Sequence, residues 1–287
     1  MDPHSGIISP KLLFGILGNI IGVGVNLAPM PTFWRIYREK STQGFSGLPY
    51  VFSLFSALLW VLYGLPMVTK NALMLITINV ASGSIQIFYL TVFVIYAAKK
   101  ARIHVIRVLA GCFAFLATAA VLTLTVVPQP KRAETVGCIC VVIGAMTYAS
   151  PLSVARMVIL TRSVEFLPIL LCVFFFINSC IWTLYGTFTM DIFVLIPNGL
   201  GVVCGVAQIA LYVIYRNAKP LPTTEKVIEM PADKVADTSV LDLPTGKGGG
   251  ATVIEVPTDT FVKSSAQTPD GKPTKIQCQV EIFIERF

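Results

Sequence analysis

Long apolar runs alternate with short polar joints from residue 12 to about residue 215. The hydrocarbon core of a bilayer is about 30 Å thick, so a helix needs about 20 mainly apolar residues to cross it. Seven of the runs reach that length. The pattern therefore predicts an all-α membrane protein with seven transmembrane helices, at residues 12–34, 48–67, 72–97, 105–127, 134–160, 168–188 and 192–215.

The two halves of this pattern repeat one another. The segment LLWVLYG at residues 58–64 returns as CIWTLYG at residues 180–186, which is 122 residues later. The same spacing relates Pro29 to Pro151, and further matched pieces follow in the same order at a spacing of 119. Because an ordered series of matches is improbable by chance, the sequence indicates an old internal duplication.

One span has no partner in this duplication. A unit of three spans that begins outside ends inside, so a second unit in the same orientation requires one extra span before it. Residues 105–127 supply that span. The sequence predicts a 3+1+3 architecture with parallel repeats about an axis along the membrane normal. Its parts are a first repeat at 12–97, a linker helix at 105–127 and a second repeat at 134–216.

The distribution of charge predicts the orientation and the nature of the tail. The first, third and fifth joints hold nine Lys and Arg residues, against four on the opposite side. Short cytoplasmic loops carry such an excess, so we expect the amino end outside and the tail in the cytoplasm. Residues 217–287 hold ten of the fifteen acidic residues and many Pro and Thr, which predicts disorder. The excess of Lys and Arg therefore comes from the joints between the membrane spans, and it indicates no nucleic-acid partner.

The chain has few of the side chains that enzyme active sites and metal sites use. His4 and His104 are its only histidines, and the seven cysteines are scattered without CxxC pairs. A metal site or a catalytic set would need more such groups close together. We therefore expect no enzyme activity, no metal and no cofactor, and the lipid bilayer is the predicted surrounding.

Several blocks of the sequence carry a resemblance to a known family. They include GNIIGVGVNLAPMPTFWRI, KSTQGFSGLPY and LLWVLYG in the first half, and TRSVEFLP, CIWTLYG and IPNGLG in the second. Over residues 12–216 the chain resembles the plant SWEET sugar transporters, whereas the tail has no such match. These transporters are themselves an example of the parallel-repeat class. The resemblance implies a bidirectional sugar uniporter.

Two asparagines lie at the middle of matched spans. Asn79 is in the third span and Asn198 is in the seventh. An amide at that depth is costly without a partner, and amides hydrogen-bond well to sugar hydroxyls. Each asparagine alone is as readily explained by contacts that hold helices together. The pairing favours a sugar site between the repeats, and the resemblance implies the same role for these two positions.

Two tryptophans form a second matched pair. Trp60 and Trp182 could be interfacial anchors, but the resemblance implies that sugar stacks between them. Ser56 and Asn178 precede them by four residues and therefore share their helical faces. A Trp platform beside polar groups is the combination that a sugar site requires.

The resemblance does not identify the sugar. Asn178 and Met146 match the pattern of monosaccharide transporters, whereas Ser56 and Val25 match that of sucrose transporters. Glucose, fructose and sucrose therefore all stay open as substrates.

Matched prolines predict places where the repeats bend. A proline lacks the backbone N–H and weakens a helix. Four of them at equivalent places suggest hinges for rocking one repeat against the other, as the resemblance also implies. They are Pro29, Pro49, Pro151 and Pro168.

Tyr63 and Asp191 end their spans on the predicted outer side. A Tyr hydroxyl that reaches this carboxylate would form an outer gate that can open, as the resemblance implies. The alternative is that Asp191 only caps a helix.

No Asp, Glu, His or Lys lies in the middle of a predicted span. Proton-coupled carriers generally place such a group inside the membrane, so uncoupled transport is predicted. A seven-helix receptor is one alternative, although it would not need matched halves. A PQ-loop carrier is another, although Pro29-Met30 and Pro151-Leu152 stand where Pro-Gln is expected. The plasma membrane is favoured over the vacuolar membrane, and formation of a homo-oligomer is left open.

Overall fold

The computed structural model of the chain describes residues 9–147, 149–165 and 167–218. All regular secondary structure in these residues is helical. The helices are α1 Pro10–Leu27, α2 Met30–Glu39, α3 Leu48–Gly64, α4 Leu73–Tyr96, α5 Lys99–Thr125, α6 Gln129–Thr147, α7 Ala149–Thr161, α8 Ile169–Thr189 and α9 Ile192–Tyr215. The predicted tail lies outside the described residues from position 219 onward.

These helices account for the seven predicted spans. Five helical stretches are long and apolar enough to cross a bilayer, and the stretch from α1 through α2 counts as one of them. The helix α3 has 17 residues, which corresponds to about 26 Å at 1.5 Å per residue. The helices α6 and α7 lie on either side of residue 148 and correspond to the fifth predicted span. The predicted all-α membrane fold with a 3+1+3 arrangement is confirmed.

The ends of the helices differ from the predicted spans where polar residues continue a helix. The helix α5 begins at Lys99, although the apolar run was expected to begin at 105. Lys, Ala and Arg are good helix formers, so the helix extends beyond the apolar stretch into the joint. The left-handed conformations of Lys40 (φ 55°) and Met190 (φ 56°) end α2 and α8.

The third helix of each repeat lies in the middle of its repeat. The helix α4 packs against α1, α2 and α3, and α9 packs against α6, α7 and α8. Between the repeats, α1 contacts α8 and α3 contacts α6. Exchange of the two repeats converts one of these contacts into the other, as expected for parallel repeats about a common axis. The linker helix α5 packs against α3, α4 and α6.

The hydrophobic core is distributed unequally between the repeats. One cluster joins both repeats and includes Leu59, Tyr63, Val136 and Trp182. A second belongs to the first repeat and α5, and there the rings of Phe33 and Tyr89 stack at 4.3 Å. The third lies in the second repeat and has three buried members among the described residues, Val158, Leu167 and Cys172. Among the described residues, more of the buried apolar side chains therefore belong to the first repeat.

Polar side chains also connect α1 to α4 in the first repeat. Asn26 Nδ2 donates to Ser82 Oγ at 2.9 Å, and Gln86 Nε2 donates to Asn26 Oδ1 at 3.1 Å. At a spacing of 119, which relates α4 to α9, the residues that correspond to Ser82 and Gln86 are Gly201 and Gly205. The duplication therefore does not extend to this network.

Candidate functional site

Asn79 and Asn198 have the same local geometry in α4 and α9. Both side chains are half-buried. Asn79 Nδ2 donates to Leu75 O at 2.8 Å, and Asn198 Nδ2 donates to Val194 O at 2.8 Å. Within the described part of the chain, no group donates to either Oδ1, so each amide keeps one N–H and its oxygen free. The two asparagines that are predicted to bind sugar therefore match in side-chain conformation as well as in sequence position.

Trp60 and Trp182 meet in one hydrophobic cluster. Trp182 is a buried member of this cluster at 6% exposure, and Trp60 is partly buried and packs against the cluster. The cluster also includes Leu75 and Val194, whose carbonyls accept from the two asparagines. The structure thus brings both tryptophans close to the helical turns that carry the amides.

Each tryptophan also contacts the tyrosine of its own motif. The rings of Trp60 and Tyr63 are 5.5 Å apart at 83°, and those of Trp182 and Tyr185 are 5.2 Å apart at 71°. Such edge-to-face pairs fix the orientation of the indole rings. The Trp-x-x-Tyr part of the repeated motif therefore supplies two pre-oriented aromatic platforms.

Asn178 and Trp182 contact α1 at two glycines. A Cβ at Gly18 would lie 2.8 Å from Trp182 Cε2, and a Cβ at Gly22 would lie 3.6 Å from Asn178 Oδ1. Asn178 Oδ1 is buried, and no group in the described part of the chain donates a hydrogen bond to it. A buried acceptor without a donor costs about 1–3 kcal/mol. A ligand hydroxyl at this position would remove that cost.

The remaining predicted pocket residues have fewer contacts. Ser56 and Val25 are half-buried, and Met146 is 60% exposed. None of the three belongs to the cluster that holds the tryptophans. Their role in sugar selection stays a prediction.

Tyr63 and Asp191 connect the two repeats at one end of the bundle. Tyr63 Oη lies 2.9 Å from both carboxylate oxygens of Asp191 and donates to them. Asp191 Oδ1 also accepts from the backbone N–H groups of Phe193 at 3.1 Å and Val194 at 3.3 Å, and so caps α9. Asp191 therefore caps α9 and also accepts the hydrogen bond from Tyr63 that was expected of an outer gate. We call the Tyr63–Asp191 contact the latch and this side of the bundle the latch end.

The opposite end has a different arrangement. There α2 packs against α4, and α7 packs against α6 and α9. These contacts stay within one repeat. The latch therefore adds to the α1–α8 and α3–α6 contacts between the repeats at one end of the bundle, whereas the main contacts of α2 and α7 are with helices of their own repeat.

The predicted hinge prolines occupy different positions in their helices. Pro29 lies between α1 and α2. Pro49 is in the first turn of α3 and Pro168 is the N-cap of α8, where proline fits a helix well. Pro151 lies in α7, but its side chain is outside the described residues. A bending role for the four stays a prediction.

Two features of the site were not predicted. Pro197 is buried inside α9, directly before Asn198. Its equivalent in α4 is Ile78, so a search for matched prolines does not find it, although a proline in the middle of a span is a signal by itself. The polar contacts of Asn26 were also missed, because its partners lie 56 and 60 residues away.

No metal centre accompanies these residues. Across 9–147, 149–165 and 167–218, no group of three or more His, Cys, Asp or Glu side chains is close enough to hold a metal ion.

Comparison with known proteins identifies the family. The sequence profile of the family described as "Sugar efflux transporter for intercellular exchange" matches residues 12–101 and 134–220. These two segments contain the predicted repeats, and the linker helix lies between them. The match covers more than half of the chain.

Individual relatives agree with this match. The chain is 45% identical to bidirectional sugar transporter SWEET15 of Oryza sativa subsp. indica over 209 residues, which cover 72% of this chain and 65% of that protein. It is 39% identical to SWEET7b of Oryza sativa subsp. japonica, covering 82% of this chain and 91% of the relative. It is 45% identical to SWEET7 of Arabidopsis thaliana, covering 71% and 80%.

A solved structure has the same fold. The structure of a eukaryotic SWEET transporter matches with a TM-score of 0.70 and 36% identity, covering 72% of this chain and 97% of that one. The profile match, the identities and the fold lead to one conclusion: this chain belongs to the SWEET family of sugar efflux transporters.

Proposed function

We propose that this chain carries sugars across a membrane in both directions by alternating access, without coupling to an ion gradient. The observation that carries the proposal is the matched pair of amides. Asn79 and Asn198 make the same hydrogen bond in equivalent helices, and each keeps an oxygen free for a ligand. Relatives with 39–45% identity are named bidirectional sugar transporters, which supports the same activity here.

The residues around the amides supply the chemistry that a sugar needs. The free oxygens of Asn79 and Asn198 accept hydrogen bonds from sugar hydroxyls, and their remaining N–H groups donate to them. The indole rings of Trp60 and Trp182 cover the apolar C–H faces of the sugar. Asn178 Oδ1 is a further acceptor whose desolvation a sugar hydroxyl would offset.

Transport requires that the site open to one side at a time. The latch between Tyr63 and Asp191 holds the repeats together at one end of the bundle. Release of the latch, with bending near Pro29, would let the repeats rock about the bound sugar. Because the same pocket is used in both states, the direction of net flux follows the sugar gradient.

The absence of Asp, Glu, Lys, Arg and His from the helices that carry the amides and tryptophans supports uncoupled transport. The helices α3, α4, α8 and α9 contain no Asp, Glu, Lys, Arg or His within their bounds. A proton-coupled carrier would need a group that is protonated and deprotonated within the membrane. The four helices that carry the amides and the tryptophans have none.

We further propose that the latch end faces outward and the tail lies in the cytoplasm. The other end of the bundle carries Arg38 and Lys40 next to the end of α2, and Lys99 and Lys100 at the start of α5. Such basic joints favour the cytoplasmic side. The plasma membrane is the proposed location over the vacuolar membrane, and imaging of a chain tagged outside the tail tests it. Cross-linking in the membrane tests self-association.

Sugar flux in sealed vesicles tests the activity. Purified protein is reconstituted, and uptake and efflux of labelled glucose, fructose and sucrose are measured against vesicles that carry the Asn79→Ala/Asn198→Ala variant. We expect at least one sugar to move faster with the wild-type chain in both directions. Equal rates for all three sugars, with folded and inserted protein in both preparations, would contradict the proposal.

A further inference from the structure

A cavity lies at the latch end, and its lining does not include the two matched asparagines or the two tryptophans. Its volume is about 260 Å³. Its lining comes from the end of α3 and the joint to α4, and from the end of α8 and the start of α9. We call it the vestibule, and its polar and aromatic members include Tyr63, Thr69, Lys70, Asn71, Tyr185 and Asp191.

The lining has the chemistry of a carbohydrate site. Two tyrosine rings from equivalent positions, Tyr63 and Tyr185, offer apolar surface for a sugar ring. Asp191 accepts hydrogen bonds, Lys70 donates them, and the amide of Asn71 does both. The ammonium of Lys70 disfavours a cation and the carboxylate of Asp191 disfavours an anion. A neutral polyhydroxylated ligand matches both.

Thr69 adds a buried hydroxyl to the lining. Within the described residues this hydroxyl makes no hydrogen bond of normal geometry, and its neighbour is the phenol of Tyr63. The phenol gives its proton to Asp191 instead. A buried hydroxyl without a partner is unfavourable by about 1–3 kcal/mol. A ligand hydroxyl in the vestibule would supply the missing hydrogen bond.

We propose that the vestibule is a second sugar site, which holds one sugar ring directly against the latch. The site depends on the proposed transport of sugars, because any sugar that passes the latch end must cross this cavity. A volume of about 260 Å³ lies below the roughly 300–1,000 Å³ of pockets for drug-sized ligands, so it fits one ring and not two. Sugar hydroxyls that donate to Asp191 compete with Tyr63 and thereby favour release of the latch.

The test measures protection of a single position in the vestibule. Ile192 lines the cavity and is 55% exposed, so Ile192→Cys introduces a thiol without removing a polar group. The variant also carries Asn79→Ala and Asn198→Ala. These replacements remove the two side-chain amides that are proposed to bind sugar between the repeats. Labelling by a membrane-impermeant maleimide is followed at residue 192 by mass spectrometry, with glucose added at increasing concentrations and sodium chloride at equal osmolality as the control.

We expect glucose to slow labelling by the factor 1 + [glucose]/Kd. Thr69→Val, which keeps the shape and removes the hydroxyl, should weaken this protection several-fold. Thr187→Val is the matched control, because Thr187 is exposed on α8 and bonds to its own helix at Thr183 O. Its protection should stay unchanged.

Labelling rates that do not respond to glucose would overturn the proposal, and so would equal protection in the Thr69→Val and Thr187→Val variants. If the double replacement of asparagines prevents folding, Asn79→Ala alone serves as the background. Transport by the wild-type chain is measured in parallel. If the wild-type chain transports no sugar, the proposed function is rejected. If it transports sugar but glucose does not slow the labelling at residue 192, the vestibule site alone is rejected.

Discussion

Asn19 and Asn79 are both amides within predicted spans, but their hydrogen bonds differ. Asn19 Nδ2 donates to Met74 O at 3.0 Å and its Oδ1 accepts from Thr77 at 2.9 Å, so it connects α1 to α4. Asn79 bonds to its own helix at Leu75 O. At the scale of single residues, this difference separates an amide that holds helices together from one that is free for a ligand.

Replacement of each amide by Ala should therefore have opposite effects. We expect Asn79→Ala and Asn198→Ala to abolish transport with little change in thermal stability. Asn19→Ala should lower stability by roughly 0.6–1.7 kcal/mol per interhelical hydrogen bond lost, with transport retained in the inserted protein. Flux and thermal unfolding are measured on the same preparations. Normal transport by both Asn79→Ala and Asn198→Ala would reject the pocket assignment.

The latch can be tested by removing one oxygen. Tyr63→Phe deletes the hydroxyl but leaves Asp191 as the cap of α9. A hydrogen bond to a charged group contributes about 1.5–3 kcal/mol, so the population open at the latch end should rise roughly 10- to 150-fold. Cys140 is 1% exposed in the same cluster as Tyr63, and its labelling by a membrane-impermeant thiol reagent reports the opening.

We expect Cys140 to label faster in Tyr63→Phe than in the wild type, and Cys140→Ser to remove the signal. Asp191→Ala should open the latch as well and should also lower thermal stability by about 1 kcal/mol, because a helix cap is lost. Unchanged labelling of Cys140 in both variants would mean that the contact does not hold the latch end closed.

At the scale of helices, the network of Asn26, Ser82 and Gln86 holds α1 against α4 within the first repeat. Ser82 Oγ accepts from Asn26 across this interface at 2.9 Å, whereas Ser84 Oγ only donates to Val80 O of its own helix. Ser82→Ala should therefore lower thermal stability by roughly 0.6 kcal/mol or more, and Ser84→Ala by less. Thermal unfolding in one detergent compares the two, and equal losses would argue against a stabilising network.

The break at Pro29 should affect motion more than binding. Pro29→Ala restores a backbone donor and favours a continuous helix from α1 into α2, which should slow alternation between the two open states. Pro49→Ala, in the first turn of α3, should have a smaller effect. Maximal transport rate and equilibrium sugar binding are measured together. If binding falls in step with the rate in Pro29→Ala, the proline shapes the pocket instead.

The sequence was sufficient for features that depend on periodicity and matched positions. Apolar runs predicted the seven spans, because the length of a span follows from local composition. Matched motifs 122 residues apart predicted parallel repeats, because an ordered series of matches marks a duplication. The residue pair Tyr63 and Asp191 could be proposed because both end their spans on one side, and the structure joins them.

Features that differ between the repeats could not be predicted in this way. Pro197 has no equivalent in α4, and Asn26 has its partners Ser82 and Gln86 on a distant helix. The rotation of α1 about its axis decides which of its polar residues face α4. That rotation is set by packing at Gly18 and Gly22 against α8 and α4, which the sequence pattern alone does not specify.

At the scale of the whole molecule, the central claim is that one pocket alternates between two sides without an ion as the driving force. Sugar flux in sealed vesicles under a controlled proton gradient tests it most directly. The account predicts equal initial flux with and without the proton gradient, in both directions, and no net accumulation once sugar concentrations are equal. Accumulation of sugar against its own gradient when a pH difference is imposed would contradict it.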